Sequence, residues 1–217
     1  MLQYPSINGV AKTPIGEPCI AFYKYDGSNL RFEWDKKRGW SKFGSRTQMI
    51  DNKSPILGMG IEMFQDLLAN EIIYRIKDLE GKNFNNLQRI TAFAEFFGEN
   101  SFAGTHVETD EKFLKLFDIF LFKKGFISPK TFVEMFDGYE HAAQVVYKGN
   151  LNVPFIESIR KNQLEGFDLF EGVICKGESK KIKSNYHGDL WMTKIKTQSY
   201  LNKLKNVFQD DWEKYAE

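Results

Sequence analysis

Apolar and aromatic residues fall in short blocks along this chain, and most blocks read as strands rather than helices. Cys19 to Tyr25 is nearly continuous in apolar and aromatic residues, and Asn29 to Trp34 alternates, with Leu30, Phe32 and Trp34 on one face. The two are joined around Asp26-Gly27-Ser28, a turn signal. Ile90 to Phe97, Lys112 to Phe122, Gly172 to Lys176 and Leu190 to Ile195 are further strand candidates. Helical spacing is rarer. Ile61, Phe64, Leu68, Ile72 and Ile76 predict a helix from about Ile61 to Lys77. Ser128 before Pro129 starts another, with Phe132, Met135, Phe136 and Tyr139 as its apolar face. Leu201, Leu204, Phe208 and Trp212 predict a last helix at about 198–215. The residues through Pro18 hold three of the six Pro and read as an extended, wrapping arm. Strands that cluster, instead of alternating with helices, predict an α+β fold of mainly antiparallel sheets with flanking helices. With no repeat, low-complexity tract or flexible linker, residues 1–217 are read as a single domain.

Composition changes this picture little. Hydrophobic residues at 42% and charged residues at 27% describe an ordinary globular chain. The 20 Phe, 9 Tyr and 4 Trp suit sheet packing and also base stacking. A net charge of +1 gives no global field for nucleic acid, yet eight lysines lie between Lys176 and Lys205. Such a run is usually a solvated surface. Cys19 and Cys175 match no metal spacing and predict a reduced, cytoplasmic setting. Neither a signal peptide nor an apolar run of bilayer length is expected, so no membrane association is predicted.

The chemistry concentrates at Lys24-Tyr25-Asp26-Gly27-Ser28-Asn29. A lysine closing an apolar strand is costly to desolvate; partial burial and neighbouring positive charge both favour its neutral, nucleophilic form. Gly27 would let the backbone approach a ligand. Taken alone, the four residues Lys24 to Gly27 read more readily as a hairpin turn with a snorkelling lysine. Glu95 stands among Phe93, Phe96 and Phe97, an unlikely place for an idle carboxylate, though a structural salt bridge is the competing reading. Lys194 and Lys196 alternate on a strand and so share a face. Glu171 is a hard oxygen ligand suited to Mg²⁺, or else a surface Glu at a strand start. Arg46 is either a bidentate phosphate ligand or a surface arginine. Glu99, Ser101, His106 and His187 form no constellation, and no P-loop is present.

In order, Lys24 to Gly27, Ser45-Arg46, Ala94-Glu95-Phe96-Phe97-Gly98, Phe117-Asp118-Ile119, Glu171-Gly172-Val173-Ile174-Cys175-Lys176 and Lys194-Ile195-Lys196 resemble the motifs of the covalent nucleotidyltransferase superfamily. That superfamily contains the ATP-dependent DNA and RNA ligases and the mRNA capping enzymes. The resemblance spans Lys24 to Lys196. It implies the nucleotidyltransferase (ATP-grasp-like) domain of ligases, with Lys24 as the nucleophile that becomes lysyl-AMP. It further implies ATP as cofactor, held by Lys24, Asp26, Gly27, Arg46, Glu95, Phe117, Glu171, Lys194 and Lys196. Phe117 would stack on adenine, Glu95 would contact ribose or metal, and Mg²⁺ (or Mn²⁺) would lie at Glu171 and Glu95. Lys194 and Lys196 would grip the α-phosphate.

Ser28-Asn29 stands where DNA ligases and capping enzymes have Arg, and resembles the RNA ligase 2 group; Arg31 keeps DNA open. The implied partners are RNA ends, with DNA or RNA–DNA nicks as the alternative, bound by Asn29, Arg46, Lys180, Lys181 and Lys183. About one helix of sequence follows Lys196, so no oligonucleotide-binding barrel is expected. The implied activity joins a 5′-phosphate to a 3′-hydroxyl through an adenylylated 5′ end. A minimal DNA ligase, or a non-catalytic nucleotide- or RNA-end-binding protein of the same fold, is the alternative.

Overall fold

A computed structural model describes residues 1–10, 15–178 and 190–215. They form two compact units. One holds Met1–Tyr4, Gly27–Ile127 and Thr131–Ala143, and the other holds Pro5–Asp26, Ser128–Lys130 and Gln144–Glu217. The predicted turn at Asp26-Gly27-Ser28 is therefore no hairpin, because the chain passes from one unit to the other between Asp26 and Gly27.

The first unit is built on six strands: β3 (Ser28–Asp35), β4 (Gly39–Ser45), β5 (Met49–Ile50), β6 (Arg89–Gly98), β7 (Lys112–Leu121) and β8 (Gly125–Phe126). They pair antiparallel in the order β5-β4-β3-β6-β7-β8. Alternation sends Leu30, Phe32, Ala92, Ala94 and Phe96 to one face, where all are fully buried. Helices α1 (Leu57–Leu67) and α2 (Ala69–Glu80) cover that face. Phe64 stacks on Phe32 at 3.8 Å. Gly60 permits the close approach of α1, since a Cβ there would stand 2.4 Å from Leu30 Cδ1. The single helix predicted over 61–77 is thus two, broken where Leu68 leaves helical geometry (φ −118°). Trp40 Nε1 donates to the carbonyl of Ala69 at 3.0 Å just past the break.

The second unit carries β1 (Asn8–Gly9), β2 (Pro18–Lys24), β9 (Val145–Asn150), β10 (Gly172–Glu178) and β11 (Leu190–Lys196), in the order β1-β11-β10-β2-β9. Only β1 with β11 runs parallel among these pairs. Helix α4 (Val153–Arg160) packs Phe155, Ile156 and Ile159 into a core with Cys19, Ala21, Val173, Cys175, Trp191 and Ile195. Each such large side chain contributes about 1.5–3 kcal/mol by leaving water. In sequence between β8 and β9, α3 (Pro129–Phe136) starts at Pro129, as expected, but Tyr139 lies beyond its end. The last helix, α5, is Gln198–Phe208, shorter than the predicted 198–215; Gln209 turns to φ 45° and a 3-10 segment follows to Lys214. The architecture is α+β and largely antiparallel, and neither sheet closes into a barrel among the described residues.

Candidate active site

The site of the second unit follows from strand register. Lys24, Gly172 and Lys196 lie side by side across β2, β10 and β11, and Phe22, Ile174 and Lys194 form the next row. Ile20, Lys176 and Met192 make the third. Paired residues share a face, so Lys24, Lys176, Lys194 and Lys196 all project to one side of this sheet. The other side is the apolar core, and a slip of one residue would drive every lysine into it. Gly172 sits between Lys24 and Lys196 with φ +142°, and a Cβ on it would meet the Ile195 carbonyl oxygen at 2.0 Å. Only glycine fits there.

Glu171, 3% exposed, reaches into the first row. Its Oε2 accepts from Lys24 Nζ at 2.6 Å and its Oε1 pairs with Lys196 Nζ at 3.1 Å. Lys196 also donates to the Tyr215 carbonyl at 2.5 Å and lies 4.9 Å from the Tyr200 ring centre. Burial pushes the Lys196 ammonium below the ordinary lysine value; Glu171 opposes that, the Lys24 charge reinforces it, and Asp26 opposes it more weakly. Lys176, also buried, places its Nζ 5.1 Å from the Phe22 ring centre. It was not among the predicted site residues, although period-two counting from Gly172 puts it on the lysine face.

The first unit holds the other predicted residues. Asn29, Glu95 and Lys115 are in register across β3, β6 and β7, so they share a face with Arg31 and Phe93. Asn29 Oδ1 is buried and no donor reaches it among the described residues, an unusual state for an amide oxygen. Between β6 and β7 the ladder shifts: Phe93 pairs with Asp118 and Ala94 with Leu116, leaving Phe117 as the extra, bulged residue. Its ring is part-buried, 5.0 Å from Tyr4 edge-on and 6.5 Å from Phe93. Arg46 is exposed between β4 and β5. Gly27 does permit a close approach, but to protein: a Cβ there would stand 2.2 Å from the Phe96 carbonyl oxygen.

Arg31, which left DNA open, is 4% exposed and donates to the carbonyls of Ser45 (2.8 Å), Met1 (3.2 Å) and Leu2 (3.1 Å). It ties the N-terminal arm to β4 and no longer argues for DNA. Ser101 Oγ bonds the Gly98 amide and carbonyl, shaping a turn. His106 Nε2 lies 2.9 Å from Ser28 Oγ, bracing the residue after Gly27, a role its position in the sequence does not signal. Lys180, Lys181, Lys183 and His187 lie outside the described residues. Those described contain no cluster of three or more His, Cys, Asp or Glu that would hold a metal by itself. Both Glu171 oxygens pair with lysine ammonium groups, Oε2 with Lys24 and Oε1 with Lys196.

Comparison with solved structures gives the class to which this architecture belongs. An RNA ligase of Naegleria gruberi, as a substituted form with AMP and Mn, superposes with a TM-score of 0.62 at 16% identity, over 93% of this chain and 58% of that one. The same ligase with PPi gives 0.61 at 15% identity, over 94% and 58%. A further substituted form with ATP and Mn gives 0.59 at 15%, over 93% and 58%. The chain therefore has the nucleotidyltransferase fold of the ATP-dependent RNA ligases, and it spans 58% of the length of these structures. No protein-family profile matches the sequence, and no curated protein does. No helix among the described residues is long and apolar enough to cross a membrane.

Proposed function

We propose that this protein is an ATP-dependent RNA ligase whose Lys24 takes up AMP, working as one adenylyltransferase domain and most like the RNA ligase 2 group. The observation that carries the reading is the buried Glu171 carboxylate held between Lys24 and Lys196, on a sheet face with Lys176 and Lys194. Four lysines on one face suit a polyphosphate, and phosphoryl transfer needs chiefly positioning and charge neutralisation. Lys24 Nζ, once neutral, attacks the α-phosphorus; the N–P bond forms as the bond to the β-phosphate oxygen breaks, and pyrophosphate leaves. The lysine proton departs through Glu171, at hydrogen-bond distance, or to solvent. Lys194 and Lys196 bear on the developing phosphate charge.

Phe117 would take the base and Glu95 the ribose or a metal, while Asn29 Oδ1 and Arg46 would contact the RNA. A divalent ion, Mg²⁺ or Mn²⁺, fits Glu95 together with the nucleotide's own phosphates, since Mg²⁺ is commonly held by one or two carboxylates plus substrate oxygens. When bound it would supply further charge neutralisation. AMP would then pass to a 5′-phosphate, and a 3′-hydroxyl would displace it to close the phosphodiester.

Incubation with α-labelled ATP and Mg²⁺ tests the first step. An acid-stable adduct of AMP mass is expected on the wild type. It should be absent from Lys24→Ala and not restored in Lys24→Arg, whose guanidinium stays protonated. Label that persists in Lys24→Ala would sink this assignment, and wild-type protein that takes no label but binds ATP would be a binder of the same fold.

A further inference from the structure

Tyr4 belongs to the N-terminal arm, yet it is inserted into the aromatic face of the first unit. Its ring meets Phe93 at 5.0 Å, Phe117 at 5.0 Å and Phe126 at 5.7 Å, with interplanar angles of 61°, 86° and 85°. Its hydroxyl donates to Asp118 Oδ2 at 2.6 Å. Asp118 is 2% exposed and follows Phe117 directly, so one bond pins both the ring of Tyr4 and the backbone of the bulge. A bulged residue is re-aimed relative to its ladder neighbours, and here its ring is packed by Tyr4 from the arm as well as by Phe93 of the adjacent strand. Near-perpendicular aromatic packing is orienting as well as attractive, because a positive ring edge prefers a negative ring face.

We propose that Tyr4 is a positioning residue for nucleotide recognition: braced on Asp118, its ring sets the plane of Phe117, and Phe117 receives the adenine. The proposal rests on the reading of Phe117 as the base platform. A stacking surface discriminates bases only if its plane is fixed, since a ring free to rotate loses overlap with any base. The arm is thus part of the nucleotide site through a contact that no strand pattern reveals.

The test is KM for ATP, kcat for Lys24 adenylylation, and the ATP-to-GTP preference, measured on Phe117→Leu, Tyr4→Leu and Tyr4→Phe. Phe117→Leu should raise KM about tenfold or more, the scale of one lost base stack. Tyr4→Leu should raise KM roughly fivefold and flatten the base preference while kcat holds, the scale of one or two lost edge contacts. Tyr4→Phe, which keeps the ring, should return KM to within about twofold of wild type. Should Tyr4→Leu not fold, Tyr4→Met fills the same space with a flexible chain and carries the same expectation. A Tyr4→Leu or Tyr4→Met protein with unchanged or lowered KM, or with loss confined to kcat or active fraction, overturns the proposal and leaves Tyr4 a structural anchor. An unchanged KM in Phe117→Leu overturns the base-platform reading itself, whatever the Tyr4 variants do.

Discussion

A carboxylate bonded to two ammonium groups is a balance that substitution upsets in a definite direction. Glu171→Gln would leave Lys24 and the buried Lys196 beside a neutral amide, and breaking a buried pair in this way costs about 3–5 kcal/mol. The sign of its pH dependence follows from Lys196, whose folded value lies below the unfolded one. Between those values the unfolded chain binds more protons, so stability rises with pH across that window. In Glu171→Gln the opposing carboxylate is gone, so the Lys196 value falls further and the deficit against wild type should shrink as pH rises from 7 to 10. Urea midpoints across that range check it; a deficit that grows with pH would show that Lys196 is not the group released. At this scale the sequence was informative where charge met an apolar strand. Lys24, Lys194 and Lys196 project as strand alternation implies. It misled on Arg31, because three backbone carbonyls brought together by tertiary folding leave no local trace.

Among the elements, α5 shows how a helix start can serve a site. Thr197 Oγ1 accepts from the Tyr200 amide at 3.2 Å and donates to the Phe170 carbonyl at 3.0 Å, while the Thr197 amide donates to the Glu171 carbonyl at 2.9 Å. The cap therefore holds the backbone from which Glu171 projects. Thr197→Ala removes these hydroxyl bonds, and a third to Ser199 Oγ at 3.1 Å, and should cost roughly 1–2 kcal/mol, with Thr197→Ser recovering most of it. A shift in denaturant midpoint at constant m measures this, and a loss below about 0.3 kcal/mol would mean the hydroxyl is replaced by water. Six strands and the start of α3 were legible because their apolar periods are long or bounded by turn signals. β4 was not, since Gly39–Ser45 offers only Trp40 and Phe43 and flanks the short β5. α4 was missed although its signals are present: Asn152 Oδ1 caps the Phe155 amide at 2.9 Å and Pro154 stands in the first turn. Its eight residues are too few for periodicity to announce.

For the whole molecule, the two units divide the predicted residues between them. Lys24, Asp26, Glu171, Lys194 and Lys196 stand in one, and Gly27, Asn29, Arg46, Glu95 and Phe117 in the other. Turn chemistry at Asp26-Gly27-Ser28 is the same whether a chain doubles back or changes sheet, so the division was invisible in the sequence. Global charge is equally silent on the proposed RNA partner: a net of +1 offers no long-range attraction, and any grip on a polynucleotide has to be local. One local cluster of positive charge is Lys180, Lys181 and Lys183, which in sequence falls between β10 and β11, the strands that carry Glu171's neighbour Gly172 and Lys196. Lysines that neutralise phosphates release counterions, so their contribution falls steeply with salt. Replacing all three by Ala should weaken RNA binding at low salt and reduce the slope of log affinity against log salt by about 2, taking roughly 0.7 per single-strand phosphate contact. Sealing should fall in step, and adenylylation of Lys24, which involves no polynucleotide, should fall far less. Equilibrium binding of a 5′-phosphorylated RNA across a salt series decides it. A slope and a sealing rate equal to wild type would show these lysines to be solvated, and would leave the grip to Asn29, Arg46 and other residues.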